Sequence, residues 1–241
     1  MIYSNPILQS LTVITITYNN FDECLNTYES LRSFRESGGS HIIINGGESI
    51  QHLINRDCKL VEEPDTGIYD ALNKGIALVS TKYFMLIHSG DTLIQDITVL
   101  EKLITQMKQQ NLDILLNNCM IEFGSGVRYM KSDNWQPWMF NFGAQPPHPP
   151  IIYKTLSVKE MKYDVHHRVI ADFKYLEDLF NSNLRFGYGK IQLIRMTSGG
   201  VTSSGIKSYF HVTCQFYKLK GPIRMLWFFI ARPLIKLYQM K

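Results

Sequence analysis

Residues 11–17 (LTVITIT) form an unbroken run of β-branched and apolar side chains, the pattern of a strand buried on both faces; Tyr18-Asn19-Asn20 stops it. Phe21, Cys24, Leu25 and Tyr28 then recur at helical spacing, and Gly38-Gly39 ends that helix. His41 to Ile44 predicts a second strand, closed by Asn45-Gly46-Gly47, and Lys59 to Glu62 a short third one. The clearest helical period follows: Ile68, Ala71, Leu72, Gly75, Ile76 and Val79 share one face. Tyr83 to Ile87 makes a fourth strand and runs into His88-Ser89-Gly90-Asp91. Alternation this dense predicts an α/β domain on a mostly parallel central sheet, with functional groups at the carboxyl ends of its strands.

The second half is less regular. Val99, Leu100, Leu103, Ile104 and Met107 mark a helix, and Leu112 to Leu116 a strand. Ile121–Phe123 and Val127–Tyr129 flank Gly124-Ser125-Gly126, a hairpin pattern. The aromatic and proline-rich stretch from Trp135 to Pro150 reads as an ordered loop, Ala171 to Phe180 as a short helix, and Leu184 to Met196 as a strand. No repeat or break in composition calls for a second domain.

Charge changes the picture near the end. Up to Asp178 the chain carries a net −6; beyond it there is no acidic residue and a net +10. Such a basic segment calls for an anionic partner. From Gly221 on, Ile223, Leu226, Trp227, Ile230, Leu234 and Leu237 share a helical face, with Arg224, Arg232 and Lys236 away from its centre and Pro233 set to kink it. One reading packs this helix on the domain or on another subunit; the other lays it in an anionic membrane interface, which suits a basic segment bearing Trp and Phe. Its longest apolar run, Met225 to Ala231, is too short to span a bilayer. No basic residue precedes Arg32, so the start does not read as a secretory signal, and a cytoplasmic location is expected. Four scattered cysteines (Cys24, Cys58, Cys119, Cys214) form no metal or redox pair and read as buried free thiols.

Candidate chemistry gathers in the first half. Asp70, Asn73 and Lys74 lie together on the strong helix, either as a solvated ion pair and amide or as a wall beside a phosphate ligand. Asp65 or Thr66 can cap that helix. Asp91, at a strand end, suits a helix cap, a turn or an oxygen ligand for a divalent cation. Asp172 opens a helix and can be its N-cap. His148 sits between two Pro pairs.

At this point the string EPDTGIYDALNKGIALVSTKYFMLIHSGD closely resembles the family 2 glycosyltransferases, in the subgroup that builds bacterial surface polysaccharides. The resemblance extends to VITITYNN, HPPIIYK, VIADFKYLEDL and GGVTSSG, from about residue 10 to residue 205. It implies a GT-A fold: a nucleotide-sugar-binding Rossmann-like half and an acceptor-binding half in one domain over 1–205, followed by the basic amphipathic segment 206–241. Thr17, Tyr18 and Asn19 would border the base and ribose. Asn45 stands where relatives commonly carry an Asp that reads the base, and its carbonyl would accept from a uracil N–H. Asp70, Asn73 and Lys74 would line the diphosphate and ribose. Ser89-Gly90-Asp91 takes the place of the metal-binding D-x-D motif with Ser for the first Asp, so Asp91 would hold Mg²⁺ or Mn²⁺. His88 departs from the usual Asn. Asp172 aligns with the catalytic base, and His148, Trp135 and Trp138 would lie on the acceptor side.

The reaction implied is inverting transfer from a nucleotide-sugar, UDP-linked, to a lipid-linked glycan or lipopolysaccharide precursor. It would run at the cytoplasmic face of a bacterial inner membrane, with peripheral contact to anionic lipid, a homo-oligomer as a possible state and no nucleic acid partner. A sugar nucleotidyltransferase would carry a Gly-rich basic loop near its start, absent here. A degenerate carbohydrate-binding or scaffolding relative is the alternative that is not an enzyme.

Overall fold

The computed structural model describes residues 5–197 apart from positions 56, 125 and 168, together with positions 213, 216, 217 and 221. The GGVTSSG motif, the boundary expected at 205 and nearly all of the basic segment lie outside the described residues.

Strand β1 (Leu11–Thr17) is buried along its whole length, as a β-branched run covered on both faces must be. Helices α1 (Phe21–Ser30) and α2 (Arg32–Glu36) follow, then β2 (Ser40–Asn45), β3 (Lys59–Glu62), α3 (Ile68–Ala77) and β4 (Tyr83–Leu86). Where a single helix was expected before Gly38-Gly39, the chain breaks at Leu31 into two. β5 (Thr92–Leu93), α4 (Ile97–Gln109), β6 (Ile114–Phe123) and β7 (Gly126–Met130) come next. A 3-10 helix (Pro137–Phe142), β8 (Ile152–Lys154), α5 (Thr155–Val158), α6 (Ala171–Phe180) and β9 (Phe186–Thr197) complete the described chain. The strand expected at Leu112–Leu116 and the first arm of the hairpin are one continuous strand, β6.

The strands form one nine-stranded sheet in the order β3-β2-β1-β4-β8-β6-β9-β5, with β7 also paired to β6. β3, β2, β1 and β4 are all mutually parallel. The later strands mix directions: β8 runs antiparallel to β4 and β6, and β9 parallel to β6. Alternation along β1 sorts the core. Ile14 and Ile16 face α3 and α6 with Leu72, Ile76, Phe84 and Leu176. Leu11 and Val13 face the other way, with Phe34, Met85, Leu100 and Leu103. On the first face α3 sits so close to β1 that a Cβ at Gly75 would lie 2.5 Å from Ile14 Cγ2.

A third cluster, around Cys24, Tyr28, Ile43 and Ile50, anchors the loop between β2 and β3. Arg35 caps it: its guanidinium stacks 3.5 Å over the Tyr28 ring and donates from Nε to Asp57 Oδ2 at 2.7 Å. Cys24 and Cys119 are buried free thiols and Cys58 a half-buried one; Cys214 lies outside the described residues.

His41 of β2 is buried with Nε2 3.0 Å from Thr15 Oγ1. Burial, with help from nearby Arg35, holds its imidazole down to about 3. The fold therefore refuses a proton that the unfolded chain accepts near pH 6.5, and this contribution is complete above that pH and lost as pH falls toward 3. We predict that urea-unfolding stability drops between pH 6.5 and 4, and that His41→Gln flattens the slope by up to about 1.4 kcal/mol per pH unit. An unchanged slope would remove His41 from this role.

Candidate active site

The chain passes β1-β2-β3 toward one edge and returns to place β4 on the other side of β1, so strand order reverses between β1 and β4. In open α/β sheets the crevice outside the strand ends at such a point is where ligands bind. Here it is bounded by Thr17 and Ser89, whose hydroxyl oxygens are 3.5 Å apart. Thr17 Oγ1 also donates to Asn20 Oδ1 at 2.6 Å. Tyr18 beside it is 65% exposed, its ring free to cover a ligand. Asn19, in the left-handed region at φ 53°, accepts from the Glu48 amide at 2.8 Å and so joins the loop after β1 to the loop after β2.

The turn after β4 is held from two sides. Thr27 of α1 donates to the Asp91 carbonyl at 2.7 Å and receives the Gly90 amide at 3.0 Å. Thr197, at the end of β9, donates from Oγ1 to the Gly90 carbonyl. Gly90 takes φ +94°, a conformation that a side chain would strain. Asp91 itself is buried, and no Lys, Arg or His pairs with it among the described residues. Burial pushes its carboxyl up to about 7, while the backbone amides of Thr197 and His88 pull the other way. A carboxyl left this way favours a proton or a cation beside it.

Asp172 stands in the first turn of α6, whose N-cap is Ile170, so the capping role does not fall to Asp172. Both its oxygens are oriented. Oδ1 accepts from the Phe173 amide at 2.8 Å and the Tyr69 hydroxyl at 3.3 Å; Oδ2 accepts from Gln145 Nε2 at 2.7 Å. Burial raises its proton affinity, and the bonds from Gln145, Phe173 and Tyr69 temper that rise. His88 bridges the halves: its ring stacks on His148 at 6.2 Å, and His148 Nε2 meets the Tyr163 hydroxyl at 2.6 Å. Tyr163 stacks in turn on Tyr175 at 4.0 Å and on Tyr69 at 5.6 Å. Burial holds both imidazoles near 4, so both are neutral at pH 7.

Several expected site residues take other parts. Asn45 is fully buried; its Nδ2 donates to the Glu48 carbonyl at 2.7 Å and to Glu62 at 3.2 Å, and its Oδ1 accepts from the Gly47 amide at 3.0 Å. The carbonyl expected to read a base is spent on shaping its own loop. Asn73 clamps the backbone of Tyr163, donating to its carbonyl and accepting from its amide, each at 2.9 Å, in place of the expected phosphate contact. Trp135 is fully buried between Phe140 and Phe180 and donates to the Ala144 carbonyl at 3.2 Å. No face of that ring can lie on a sugar, whereas Trp138 is 52% exposed. Lys74 pairs with Glu63 at 3.3 Å and Asp70 at 3.6 Å and donates to the Pro64 carbonyl at 2.6 Å; Asp70 also accepts from the Thr66 amide. Tyr69, Gln145 and Tyr163, which hold Asp172 and His148, went unrecognised in the sequence. Tyr69 sits beside the apolar face of α3, and Gln145 in a Pro-rich loop, where neither carries a periodic signal.

The model of the family described as glycosyl transferase family 2 matches residues 12–184, and the chain belongs to that family. Two curated relatives from Mycobacterium tuberculosis, the uncharacterized glycosyltransferases MT1564 and Rv1514c, are each 36% identical over 89 residues, 34% of this chain and 34% of theirs. The chain thus spans about a third of the length of the curated relatives it matches. Among solved structures, S. aureus TarS 1-349 in complex with UDP-GlcNAc superposes with a TM-score of 0.62 at 15% identity, covering 85% of this chain and 64% of that one. The mannosyltransferase PcManGT from Pyrobaculum calidifontis, in complex with GDP-Man and Mn²⁺, gives 0.62 at 10% identity, covering 87% and 64%. These likenesses establish a GT-A-like fold.

The Asn73 clamp generates a test. Asn73→Ala leaves a backbone amide and carbonyl of Tyr163 without partners and should cost about 1–3 kcal/mol of folding stability. Nucleotide affinity, measured by calorimetry well below the melting temperature, should stay close to that of the parent. A large loss of affinity at unchanged stability would return Asn73 to the ligand.

Proposed function

We propose that the protein is an inverting glycosyltransferase that moves a sugar from a UDP-linked donor to a lipid-linked glycan or lipopolysaccharide precursor, with Asp172 as catalytic base. The observation that carries this reading is the Asp172 carboxyl itself: desolvated, fixed at both oxygens, and held by a Tyr69 that stacks on the Tyr163 supporting His148 beside His88. A raised proton affinity suits a group that must take a proton near neutral pH. In the reaction, the acceptor hydroxyl gives its proton to Asp172 as its oxygen bonds to the anomeric carbon. The bond from that carbon to the diphosphate breaks on the opposite side, and the nucleoside diphosphate leaves. Tyr69 and Gln145 keep the carboxylate aimed throughout.

Mg²⁺ or Mn²⁺ fits Asp91, a buried carboxyl without a cationic partner among the described residues. No cluster of three or more His, Cys, Asp or Glu that could hold an ion is found there either, so phosphate oxygens and water would supply the other ligands, as hard cations allow. A bound cation supplies neutralisation of the charge that gathers on the leaving diphosphate. Asp70, in the first turn of α3, and Lys74, in its last, pair with each other beside the 63–65 segment, where Lys74 can exchange Glu63 for an oxygen of the donor. Trp138 and His148 belong to the acceptor side in this reading, Trp138 as an open ring and His148 as support for His88.

A screen of nucleotide sugars for hydrolysis and transfer, with and without Mn²⁺, tests the activity. Asp172→Asn should nearly abolish turnover and leave nucleotide affinity largely intact. Asp91→Ala should remove the Mn²⁺-dependent part of nucleoside diphosphate binding in calorimetry. Normal turnover in the first variant, or undiminished Mn²⁺-dependent affinity in the second, would refute the assigned role.

We also propose that residues 221–241 attach the enzyme peripherally to the anionic cytoplasmic face of a bacterial inner membrane. The charge asymmetry and the apolar stripe around Trp227 support it. Each basic residue at such a surface contributes about 1 kcal/mol, so a few simultaneous contacts give reversible attachment. No helix among the described residues is long and apolar enough to cross a membrane. Truncation after Lys220 should release the protein from anionic liposomes and spare donor hydrolysis. Equal co-sedimentation of the truncated and intact chains would show that the anchor lies elsewhere, and joint loss of solubility and hydrolysis would assign the segment to the fold.

A further inference from the structure

The displacement of Asn45 from base reading leaves the end of β2 without the polar group expected there. The structure fills that place from another segment. An ideal Cβ on Gly46 would lie 1.9 Å from Asp65 Oδ2 and 2.6 Å from its Cγ, so the Asp65 carboxylate occupies the space of a residue-46 side chain. Gly46 directly adjoins the switch-point crevice: its amide donates to the Thr17 carbonyl at 3.2 Å. Asp65 is held there by its Oδ1, which accepts from the Gly67 amide at 2.9 Å.

Its neighbours are engaged. Glu62 accepts from the Ile50 amide, Asn45 and Ser49; Glu63 pairs with Lys74; Asp70 accepts from the Thr66 amide and pairs with Lys74. Among the described residues, Asp65 Oδ2 accepts no hydrogen bond, and no cation pairs with Asp65. Between residues 62 and 70, this leaves one positioned carboxylate with an oxygen to offer. It stands at the end of β2, two strand spacings, about 10 Å, from the end of β4 where Asp91 lies. A carboxylate repels phosphate, so the diphosphate belongs at the β4 end and the base at the β2 end.

Resting on the donor site proposed above, we infer that Asp65 is a specificity-determining residue that accepts the ring N–H of uracil. Uracil presents an N3–H flanked by two carbonyls, whereas cytosine presents a bare N3 acceptor that a carboxylate repels. Gly46 is then required because any side chain there would expel the carboxylate from its position. The Gly67 bond fixes the rotamer, so little ordering remains for binding to impose.

The test is calorimetric binding of UDP, CDP and GDP, each with Mn²⁺, to the full chain and to Asp65→Asn and Gly46→Ala. Thermal unfolding is recorded in parallel. The parent should prefer UDP. Asp65→Asn keeps the shape and the Gly67 contact but replaces one carboxylate oxygen with an amide donor. It should weaken UDP by about tenfold or more and narrow or reverse the preference over CDP. Gly46→Ala, if folded, should reproduce the loss of UDP affinity. Parent-like UDP affinity and base preference in a folded Asp65→Asn would overturn this inference alone and reduce Asp65 to a turn residue. A parent that prefers GDP or CDP would overturn the uracil assignment, and one that binds no nucleoside diphosphate would overturn the donor-site reading together with it.

Discussion

Helix α3 lies against β1 with no room for a side chain at position 75: a Cβ there would stand 2.5 Å from Ile14 Cγ2. Interiors packed to crystal density transmit such a constraint, because neither partner can yield by a methyl group without a shift of the backbone. The consequences run along α3. Tyr69, in the first turn of the helix, reaches Asp172 of α6; Asn73, one turn on, takes both backbone groups of Tyr163. Tyr163 then supports His148, and His148 supports His88 at the end of β4. One close helix–strand contact thus joins the Asp172 carboxylate, the aromatic stack and the turn that carries Asp91.

That arrangement keeps several ionisable groups out of water, and their protonation follows from it. His88 and His148 are held neutral, so the centre of the site carries no fixed positive charge from its imidazoles. Asp91 and Asp172 both hold protons more tightly than a carboxyl in water, and for both the main cause is burial. They differ in their partners. Asp172 has three hydrogen-bond donors that orient it. Asp91 has backbone amides and, among the described residues, no cationic side chain, which leaves its charge uncompensated by protein.

The elements of the first half were legible because each carries one strong signal. β1 is apolar throughout, α3 has a clean 3.6-residue face, and the glycines after β2 and in the turn after β4 mark real ends. The antiparallel entry of β8 was not legible: three residues after a Pro-rich loop give no period to read. Nor was the fusion of the 112–116 strand with the hairpin, since Asn117 and Asn118 interrupt the apolar pattern while their amides are used inside, on the Pro150 carbonyl and the Ser132 amide. At the site, Asp91 and Asp172 are legible as carboxylates at element ends, and the family resemblance supplies the roles expected of them. Roles set by tertiary contact did not. Asn73 looks like a surface amide and Trp135 like a sugar platform until the segments that bury them are in place.

The Gly46-Gly47 pair shows how such a contact can be written in sequence without being readable there. Adjacent glycines after a strand normally signal a turn that needs unusual backbone angles. Here neither takes a positive φ. Each is instead a space that another segment fills: Asp65 from the entrance of α3 over Gly46, and Asn19 from the loop after β1 over Gly47, its Oδ1 2.2 Å from where a Cβ would stand. The loops after β1, β2 and β3 therefore meet through side chains of the outer two lying on bare backbone of the middle one. A polar group at the mouth of the crevice can in this way come from any of the three loops, whichever residue ends β2.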